Sequence, residues 1–243
     1  MSSFLLKACR LLCLLLTLPL RLAKTLGLLA AYKRLFPLLV YNITISYNNK
    51  MHRMKKELFR NVHGFANSDG SLRLLEIGSG TGANFQFYPY GCTVLCVDPN
   101  PHFETYLKKS MYENKHLTYE AFLVASAEDM KELDDESVDV VVCTLVLCSV
   151  KDVKMVLREV RRVLKTGGAF YFMEHVVSKP STWTYFFQYI IDPLWFYIGD
   201  GCSVTRATWE ELESAGFSEL HLKHFEAPVT LMIRPHIMGY SIK

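Results

Sequence analysis

The stretch that decides the fold is Leu74-Leu75-Glu76-Ile77-Gly78-Ser79-Gly80-Thr81-Gly82, a short apolar run followed directly by a glycine-rich turn. The apolar run predicts a buried strand, and the glycines predict a turn in which a ligand can approach the backbone closely. In open α/β sheets such a turn lies at the carboxyl end of a strand, where ligands bind. The stretch therefore predicts an α/β fold with a ligand site beside its first strand.

An acidic residue follows the glycine turn at an interval that suits a nucleoside. Asp98 ends the next predicted strand, twenty residues after Gly78. A carboxylate at that place can accept hydrogen bonds from both hydroxyl groups of a ribose. The glycine turn and Asp98 together therefore predict a ribose-containing cofactor.

The motif by itself leaves two cofactor classes open. Gly78, Gly80 and Ala83 satisfy the pattern G-x-G-x-x-G/A of dinucleotide sites, so a nicotinamide cofactor is one alternative. Glu76 and a further acidic pair at Glu128-Asp129 favour a compact cofactor that carries an amine. The chain also shows no second mononucleotide-binding half, which a dinucleotide would need.

From residue 72 the chain alternates short apolar runs with helical periods, which predicts a mainly parallel sheet. A helix is predicted from Val150 to Leu164, ended by Thr166-Gly167-Gly168, and a second helix begins near Thr208 with a capping box to Glu211. The predicted strands are Leu72 to Ile77, Thr93 to Val97, Leu117 to Val124, Val138 to Val146, Ala169 to Met173, Ser218 to His224 and Ile237 to Ile242.

The charges divide the chain into two parts. Its 243 residues carry 27 basic and 24 acidic side chains, a net charge of +3, yet residues 1–56 hold ten basic residues and no acidic one. Subtracting those ten leaves 17 basic and 24 acidic side chains in residues 57–243, a net charge of −7. A basic leading segment thus precedes an acidic body, and we expect no nucleic-acid partner for that body.

The leading segment is predicted to lie on a membrane surface. Residues 11–20 are almost wholly apolar, but Arg21 and Lys24 interrupt the run before it reaches the ~20 residues of a membrane-spanning helix. In a helix these two residues share one face with Lys7 and Arg10, where they meet lipid headgroups while leucines enter the acyl boundary. A cleaved signal peptide, a tilted or hairpin insertion, and an amphipathic helix packed on its own domain are the alternatives.

Over roughly residues 70–243 the motifs resemble the class I S-adenosylmethionine-dependent methyltransferases. E-I-G-S-G-T-G resembles their first motif, V-D-P-N (97–100) their ribose-binding strand end, and A-S-A-E-D-M (125–130) their adenine-contacting turn. The run D-V-V-V-C-T-L-V-L-C-S-V (139–150) resembles their fourth strand. The resemblance implies an α/β, Rossmann-like class I methyltransferase fold: a seven-stranded, mainly parallel sheet ordered 3-2-1-4-5-7-6, with strand 7 antiparallel and helices on both faces.

The family resemblance implies S-adenosyl-L-methionine as the cofactor. The chain departs from the family at Ser126, where an aspartate is frequent, so the adenine amine would rely on the neighbouring acidic side chains or on backbone. The cofactor-binding residues carried over from the motifs are Glu76, Gly78, Gly80, Gly82, Asp98, Asn100, Glu128, Asp129 and Thr144.

A closer resemblance covers nearly the whole chain. G-A-N-F-Q-F-Y-P (82–89), G-G-A-F-Y-F-M-E-H-V (167–176), D-G-C (200–202) and R-P-H-I-M-G-Y (234–240), behind an apolar amino terminus, resemble the membrane-associated thiol S-methyltransferases, the methyltransferase-like protein seven group. This implies methyl transfer to small alkyl thiols, hydrogen sulfide included, at the endoplasmic reticulum membrane and lipid droplets. A methyltransferase for another O, N or lipid acceptor and a non-enzymatic lipid-droplet surface protein are the rival hypotheses.

The predicted organisation has three parts: residues 1–40 as a hydrophobic or amphipathic membrane anchor, 41–69 as a basic linker and leading helix, and 70–243 as the methyltransferase domain. The basic residues that precede the body favour the cytosolic side of a membrane, so we expect the catalytic domain to face the cytosol. An odd number of cysteines, seven, with several in apolar strand-like runs, indicates reduced, buried thiols.

The acceptor side is predicted from the region after the fifth strand. Residues 181–202 hold eight aromatic residues, which we interpret as a cover over an apolar acceptor pocket, as core packing, or as a membrane-interface patch. His175 ends the fifth strand and is the predicted catalytic base, with Glu174 as its local rival and a structural hydrogen bond as the alternative. No C-x-x-C occurs, and Cys143 and Cys148 are expected to be buried apolar residues, so we expect no metal.

Overall fold

A computed structural model describes the backbone of residues 3–243 and the side chains from residue 6 onward. Seven strands form one sheet in the order β3-β2-β1-β4-β5-β7-β6, with β7 antiparallel to β5 and β6 and the other pairs parallel. The predicted strand count and order are therefore confirmed. The strands are β1 (Arg73–Ile77), β2 (Thr93–Val97), β3 (Thr118–Leu123), β4 (Val138–Thr144), β5 (Leu164–His175), β6 (Glu219–Glu226) and β7 (Pro235–Ile242).

Helices cover both faces of the sheet. Strand β4 is buried from Val138 to Cys143 because helices lie over both of its faces, as the continuous apolar run predicts. Short 3-10 helices at Val62–Phe65, Phe85–Phe87, Pro101–Phe103 and Leu231–Ile233 join these elements. The helices are α1 (Ser3–Leu16), α2 (Leu18–Thr25), α3 (Leu29–Leu58), α4 (Glu104–Glu113), α5 (Val153–Val163), α6 (Trp183–Ile198) and α7 (Thr208–Glu213).

The junction of α5 and β5 differs from its prediction. The helix begins three residues later than predicted, with the Asp152 side chain accepting a hydrogen bond from the Met155 amide at 3.1 Å. It ends at Val163, and Leu164 is already extended and paired with Val138 of β4. The following Thr-Gly-Gly residues therefore belong to the strand rather than to a helix terminus. The glycines still bend the chain, because Gly167 has a φ of +78° and residues 165–168 form an irregularity between the pairs Val138–Leu164 and Val140–Ala169.

The predicted capping box of α7 is wrong. The residue that caps the helix is Ala207, which provides no side-chain bond, and Thr208 is the first residue inside the helix. The hydroxyl of Thr208 is buried without a hydrogen-bond partner. Its methyl and hydroxyl groups pack into the core, so packing decides the start of this helix and capping does not.

The first three helices form a layer that extends over the carboxyl edge of the sheet. Helix α1 packs against α6, where the Arg10 guanidinium lies 4.1 Å from the Tyr189 ring centre and donates to its carbonyl oxygen at 2.9 Å. Helix α3 runs without interruption through residue 40, where the sequence places the end of the anchor, and its Lys33 carbonyl accepts a hydrogen bond from the Asn100 side chain. The leading segment thus contacts both sides of the predicted site.

Within residues 3–243, no single helix has both the length and the apolar character needed to cross a membrane. Residues 6–25 and 29–58 pass that test only as a pair, and the pair is bent by 105°. Most leucines of the leading helices are nevertheless exposed, namely Leu11, Leu12, Leu15, Leu16, Leu18, Leu22, Leu26, Leu28, Leu35, Leu38 and Leu39.

Candidate active site

The glycine turn joins β1 to the crevice at the carboxyl edge of the sheet. Gly78 has a φ of +60°, and a Cβ there would lie 2.2 Å from the nearer Val146 methyl group. Gly80 also has positive φ, but a Cβ there would meet nothing closer than 3.8 Å. Gly78 is therefore required by the loop after β4, whereas a Cβ on Gly80 would make only ordinary van der Waals contacts, with the Gly78 carbonyl and the Phe103 ring.

Asp98 is held at the end of β2 by the backbone of this turn. Its two carboxylate oxygens accept hydrogen bonds from the Gly80 amide at 3.1 Å and the Asn100 amide at 2.9 Å. Burial raises the pKa of Asp98 to about 6, and the two amide hydrogen bonds oppose that rise. A carboxylate has about four acceptor positions, so two remain for ribose hydroxyls. Asp98 is thus placed as the ribose motif predicts.

Asn100 has a different setting from Asp98. Its Oδ1 accepts a hydrogen bond from the His102 amide, and its Nδ2 donates to the Lys33 carbonyl of α3 at 2.9 Å. The side chain therefore ties the loop after β2 to the leading helices. Direct contact of Asn100 with the cofactor stays a prediction.

Glu76 is fully buried beneath the glycine turn. Its oxygens accept hydrogen bonds from Asn84 Nδ2 and from the Tyr88 hydroxyl, each at 2.7 Å, and Asn84 also donates to the Thr144 hydroxyl at 2.9 Å. Burial raises the pKa of Glu76 to about 7, an effect that the hydrogen bonds from Tyr88 and Asn84 reduce. Glu76 and Thr144 are thus joined through one amide that links β1, the turn and β4.

The same network includes two residues that the sequence analysis does not assign. Asn84 and Tyr88 lie in the quoted string G-A-N-F-Q-F-Y-P, but only the fold shows that their polar atoms converge on one carboxylate. Gly82, at the start of that string, packs against Phe85, because a Cβ on it would lie 2.5 Å from the ring. These contacts fix the shape of the turn.

The turn after β3 brings two of its three polar residues together. The Ser126 hydroxyl donates to one Glu128 carboxylate oxygen, and the other accepts from the Lys151 amide at 2.8 Å. The Asp129 side chain is 64% exposed and pairs with Lys131 at 3.7 Å. Glu128 is therefore joined to the carboxyl edge of the sheet, whereas Asp129 faces solvent.

The polar groups at the carboxyl ends of β1 and β2 suit an adenosyl cofactor. Asp98 would accept from the ribose hydroxyls, Gly80 allows close approach of the ligand, and the Ser126–Glu128 turn stands at the end of the neighbouring strand β3. The chemistry that S-adenosylmethionine supplies is an electrophilic methyl group on a sulfonium.

Glu174, the predicted alternative to His175 as the base, has a structural role instead. Glu174 is buried, and its carboxylate accepts from the amides of Val146 at 2.9 Å, Leu147 at 3.1 Å and Cys148 at 3.4 Å. Burial raises the pKa of Glu174 to about 7, and these amides act in the opposite direction. Glu174 therefore holds the loop after β4 in place, which leaves His175 as the base candidate.

His175 ends β5 beside the loop that Glu174 holds. Its imidazole is buried, and its Nε2 lies 3.1 Å from Sγ of Cys202. Cys202 follows α6 in the quoted D-G-C string, but its contact with His175 spans 27 residues of chain and has no local sequence signal. Cys148 is a buried thiol as expected, and its Sγ lies 3.4 Å from Sγ of Cys202.

Helix α6 carries all eight residues of the predicted aromatic cluster. Gln188, which is buried, accepts from the Ser178 amide and donates to the carbonyls of Val176 and Met232, which fixes the helix next to the end of β5. Trp183, Phe187 and Phe196 are among the exposed large apolar residues. Core packing alone therefore does not account for this helix.

Comparisons with known proteins agree with the motifs. Residues 75–172 match the family model described as a methyltransferase domain. The chain is 55% identical to thiol S-methyltransferase TMT1A of Homo sapiens over 212 residues, which cover 87% of each protein. It is 52% identical to thiol S-methyltransferase TMT1B of Homo sapiens over 236 residues, 96% of this chain and 97% of that protein.

The fold agrees with solved structures. A SAM-dependent methyltransferase from Aquifex aeolicus superposes with a TM-score of 0.56 at 15% identity, over 85% of this chain and 97% of that one, which is a likeness of fold alone. The predicted fold class is confirmed. The chain therefore belongs to the thiol S-methyltransferases, a family of class I S-adenosylmethionine-dependent methyltransferases.

Proposed function

We propose that this protein transfers the methyl group of S-adenosylmethionine to small lipophilic alkyl thiols, hydrogen sulfide included, at a membrane surface. The observation that carries the proposal is the identity to thiol S-methyltransferases over nearly the whole chain, including the segments on both sides of the crevice. The cofactor is held at Asp98 and the glycine turn. The acceptor lies at the ends of β4 and β5, covered by α6.

The protein needs to supply little chemistry of its own in this reaction. Methyl transfer to sulfur is an in-line displacement, so holding the acceptor sulfur in line with the methyl group supplies much of the rate. The attacking species is the thiolate, and His175 accepts the proton of the acceptor thiol. Aromatic side chains of α6 exclude water and favour lipophilic acceptors.

Methylation assays with purified protein test the acceptor class. The protein is incubated with radiolabelled S-adenosylmethionine and a panel of thiols, phenols and amines, with Asp98→Ala as the inactive control. We expect label on the thiols. Selective labelling of phenols or amines would reject the thiol proposal, and cofactor binding without turnover of any thiol would favour a non-enzymatic surface protein.

The membrane surface is part of the proposal. Exposed leucines of α1 and α2 continue into the exposed aromatic residues of α6, because α1 packs against α6. The basic residues of the same helices suit anionic headgroups. We propose that this face lies on the endoplasmic reticulum membrane and on lipid droplets, with the catalytic domain in the cytosol and residues 1–40 as the anchor.

Vesicle flotation tests this surface. The double variant Leu12→Glu/Leu16→Glu places charges among exposed leucines of α1, and Tyr90→Glu changes a still more exposed residue of the body. We expect the double variant to lose flotation with vesicles of phosphatidylcholine and phosphatidylserine, while the control floats normally. Equal flotation of both would reject the surface. Protease protection of a tagged chain in microsomes tests its orientation.

A further inference from the structure

Two buried histidines lie side by side at the acceptor end of the sheet, His175 and His236, with ring centres 6.4 Å apart. Both nitrogens of His236 have partners: Nδ1 lies 3.1 Å from the Arg234 carbonyl and Nε2 lies 3.0 Å from the Tyr47 hydroxyl. A carbonyl only accepts, so Nδ1 of His236 carries the proton and Nε2 accepts from the tyrosine. Neither ring nitrogen of His236 is therefore left to bind a substrate.

His175 differs in one nitrogen. Its Nε2 faces Cys202, but its Nδ1 is buried with no hydrogen-bond partner among the residues that the structure describes. A buried polar atom without a partner is costly, and at the open end of a strand, unlike the core position of Thr208, it leaves room for a partner supplied from outside the chain. The position is at the carboxyl end of β5, where the acceptor of the proposed reaction lies.

Three groups converge on the sulfur of Cys202. His175 Nε2 lies at 3.1 Å, Trp195 Nε1 at 3.3 Å and Cys148 Sγ at 3.4 Å. The indole nitrogen can only donate, so the Cys202 sulfur is an acceptor in this cluster. Hydrogen bonds that end on a sulfur favour its ionised form, since a thiolate accepts far better than a thiol. The hydrogen bonds that Cys202 shares with Cys148, His175 and Trp195 lower the pKa of its thiol, and burial acts in the opposite direction.

The cluster is assembled rigidly from three segments of chain. Cys148 lies in the loop whose amides bind Glu174, and the Ser203 amide donates to the Cys148 carbonyl at 2.9 Å. The Arg206 side chain donates to carbonyls of the same loop. Glu174, Arg206 and His236 are the charged or titratable groups around the His175–Cys202 pair. Their hydrogen bonds are with backbone, Tyr47 and the Cys143 thiol, and none of them is to Nδ1 of His175.

We propose that Cys202 is a positioning residue for the base: its sulfur accepts the Nε2–H of His175 and thereby presents the Nδ1 lone pair to the acceptor thiol. This inference rests on the proposed thiol methylation and deepens it. The acceptor S–H bond breaks as its proton binds Nδ1. The acceptor sulfur then bonds to the methyl carbon while the methyl–sulfonium bond breaks. The products are a methyl thioether, S-adenosylhomocysteine and a proton that leaves His175 for solvent.

The arrangement has the logic of a triad, with Cys202 in the place of the carboxylate that orients a histidine. The side chains of Cys148, His175 and Cys202 also have the geometry to surround a metal ion, because their S and N atoms lie within 4.8 Å of one another. A metal-bound histidine almost always donates its other N–H to a partner, and Nδ1 of His175 has none. The geometry therefore favours the proton-transfer role.

Acceptors of different acidity separate this role from a structural one. We would compare Cys202→Ser with Cys92→Ser, which changes a buried cysteine just before β2 at the opposite edge of the sheet. Both full-length variants are assayed in detergent micelles with an alkyl thiol and with an aromatic thiol that is already ionised at neutral pH. For Cys202→Ser, kcat/KM with the alkyl thiol should fall by about 10²-fold, the scale of general-base catalysis. The aromatic thiol needs no base and should keep most of its activity.

Three outcomes would overturn the proposal: equal losses with both thiols while S-adenosylhomocysteine still binds, no loss with either, or an equimolar metal in the purified protein that Cys202→Ser releases. If that variant does not fold, the unchanged protein gives the test. With the alkyl thiol, base assistance makes kcat/KM level off at a pH below the thiol's own pKa of ~8.5, because the base removes the proton. A tenfold rise in kcat/KM per pH unit up to that pKa would contradict the role of the pair, whereas methylation of no thiol at all would instead refute the proposed function.

Discussion

The two halves of the active-site edge are built in different ways. The donor side, which consists of the Gly78–Gly82 turn and Asp98, comes from two consecutive strands and their turns. The acceptor side, which consists of Cys148, His175, Trp195 and Cys202, comes from a loop after β4, the end of β5, α6 and the loop beyond α6. The donor side makes its polar contacts with backbone amides, and the acceptor side makes them between side chains. Local sequence therefore specifies the first, and packing specifies the second.

The largest effect is expected at the ribose carboxylate. Asp98→Ala removes an acceptor of two ribose hydroxyl bonds, each worth about 1.5–3 kcal/mol when the acceptor is charged, so the Kd for S-adenosylhomocysteine should rise by at least ~100-fold. Isothermal titration calorimetry measures it. Asp134→Ala, which changes an exposed aspartate, is the control. An unchanged Kd for Asp98→Ala would move the ribose away from β2 and remove the basis of the comparison.

The second prediction separates ligand space from packing in the glycine turn. Gly78→Ala forces a Cβ into Val146 and strains a residue with positive φ, so the free energy of unfolding should fall by about 2–4 kcal/mol. Gly91→Ala is the matched control, since Gly91 has a φ of +77° but nothing within 4 Å of its Cβ position. It should lose only about 1–2 kcal/mol. Equal losses of unfolding free energy in the two variants, measured by urea denaturation, would show that Val146 moves aside at little cost.

The third prediction concerns pH. Asp98 binds ribose as a carboxylate, and its pKa in the cofactor-free protein is raised to about 6. Affinity for S-adenosylhomocysteine should be steady above that pH and weaken by about tenfold per pH unit below it, because protonation removes the charged acceptor. In Asp98→Asn the affinity is low and should lack this break. Calorimetry from acid to neutral pH decides it, and an identical break in Asp98→Asn would assign the titration to another group.

The smallest effect is expected where the leading layer meets α6. Arg10→Ala loses the cation–π contact with Tyr189 and the hydrogen bond to its carbonyl, together about 1 kcal/mol. Hydrogen exchange should quicken by several-fold in α1 and stay unchanged in the sheet. Arg21→Ala, at an exposed position of α2, is the control. Quicker exchange throughout the sheet would mean that the layer is part of the core rather than a cover.

The difference between the two sides also explains which predictions failed. The capping box of α7 was predicted from a local signal, but tertiary contacts decided the start of this helix, because Thr208 is packed into the core. The end of α5 was predicted to within one residue. Similarly, Asp98 was predicted from its spacing and lies beside the glycine turn as expected. A prediction succeeds where the residues that matter are close in the chain.

The sequence by itself determined the strand order and the cofactor class through its family motifs, and it singled out Asp98 as the candidate ribose carboxylate, because these signals lie within single strands and the turns that follow them. It also marked His175 as a base candidate. Only the tertiary structure decided that Glu174 binds backbone amides and that Cys202 meets His175 and Cys148. The physical reason is that these contacts join segments up to 54 residues apart, and side chains that meet across such a distance leave no periodicity or spacing in the sequence.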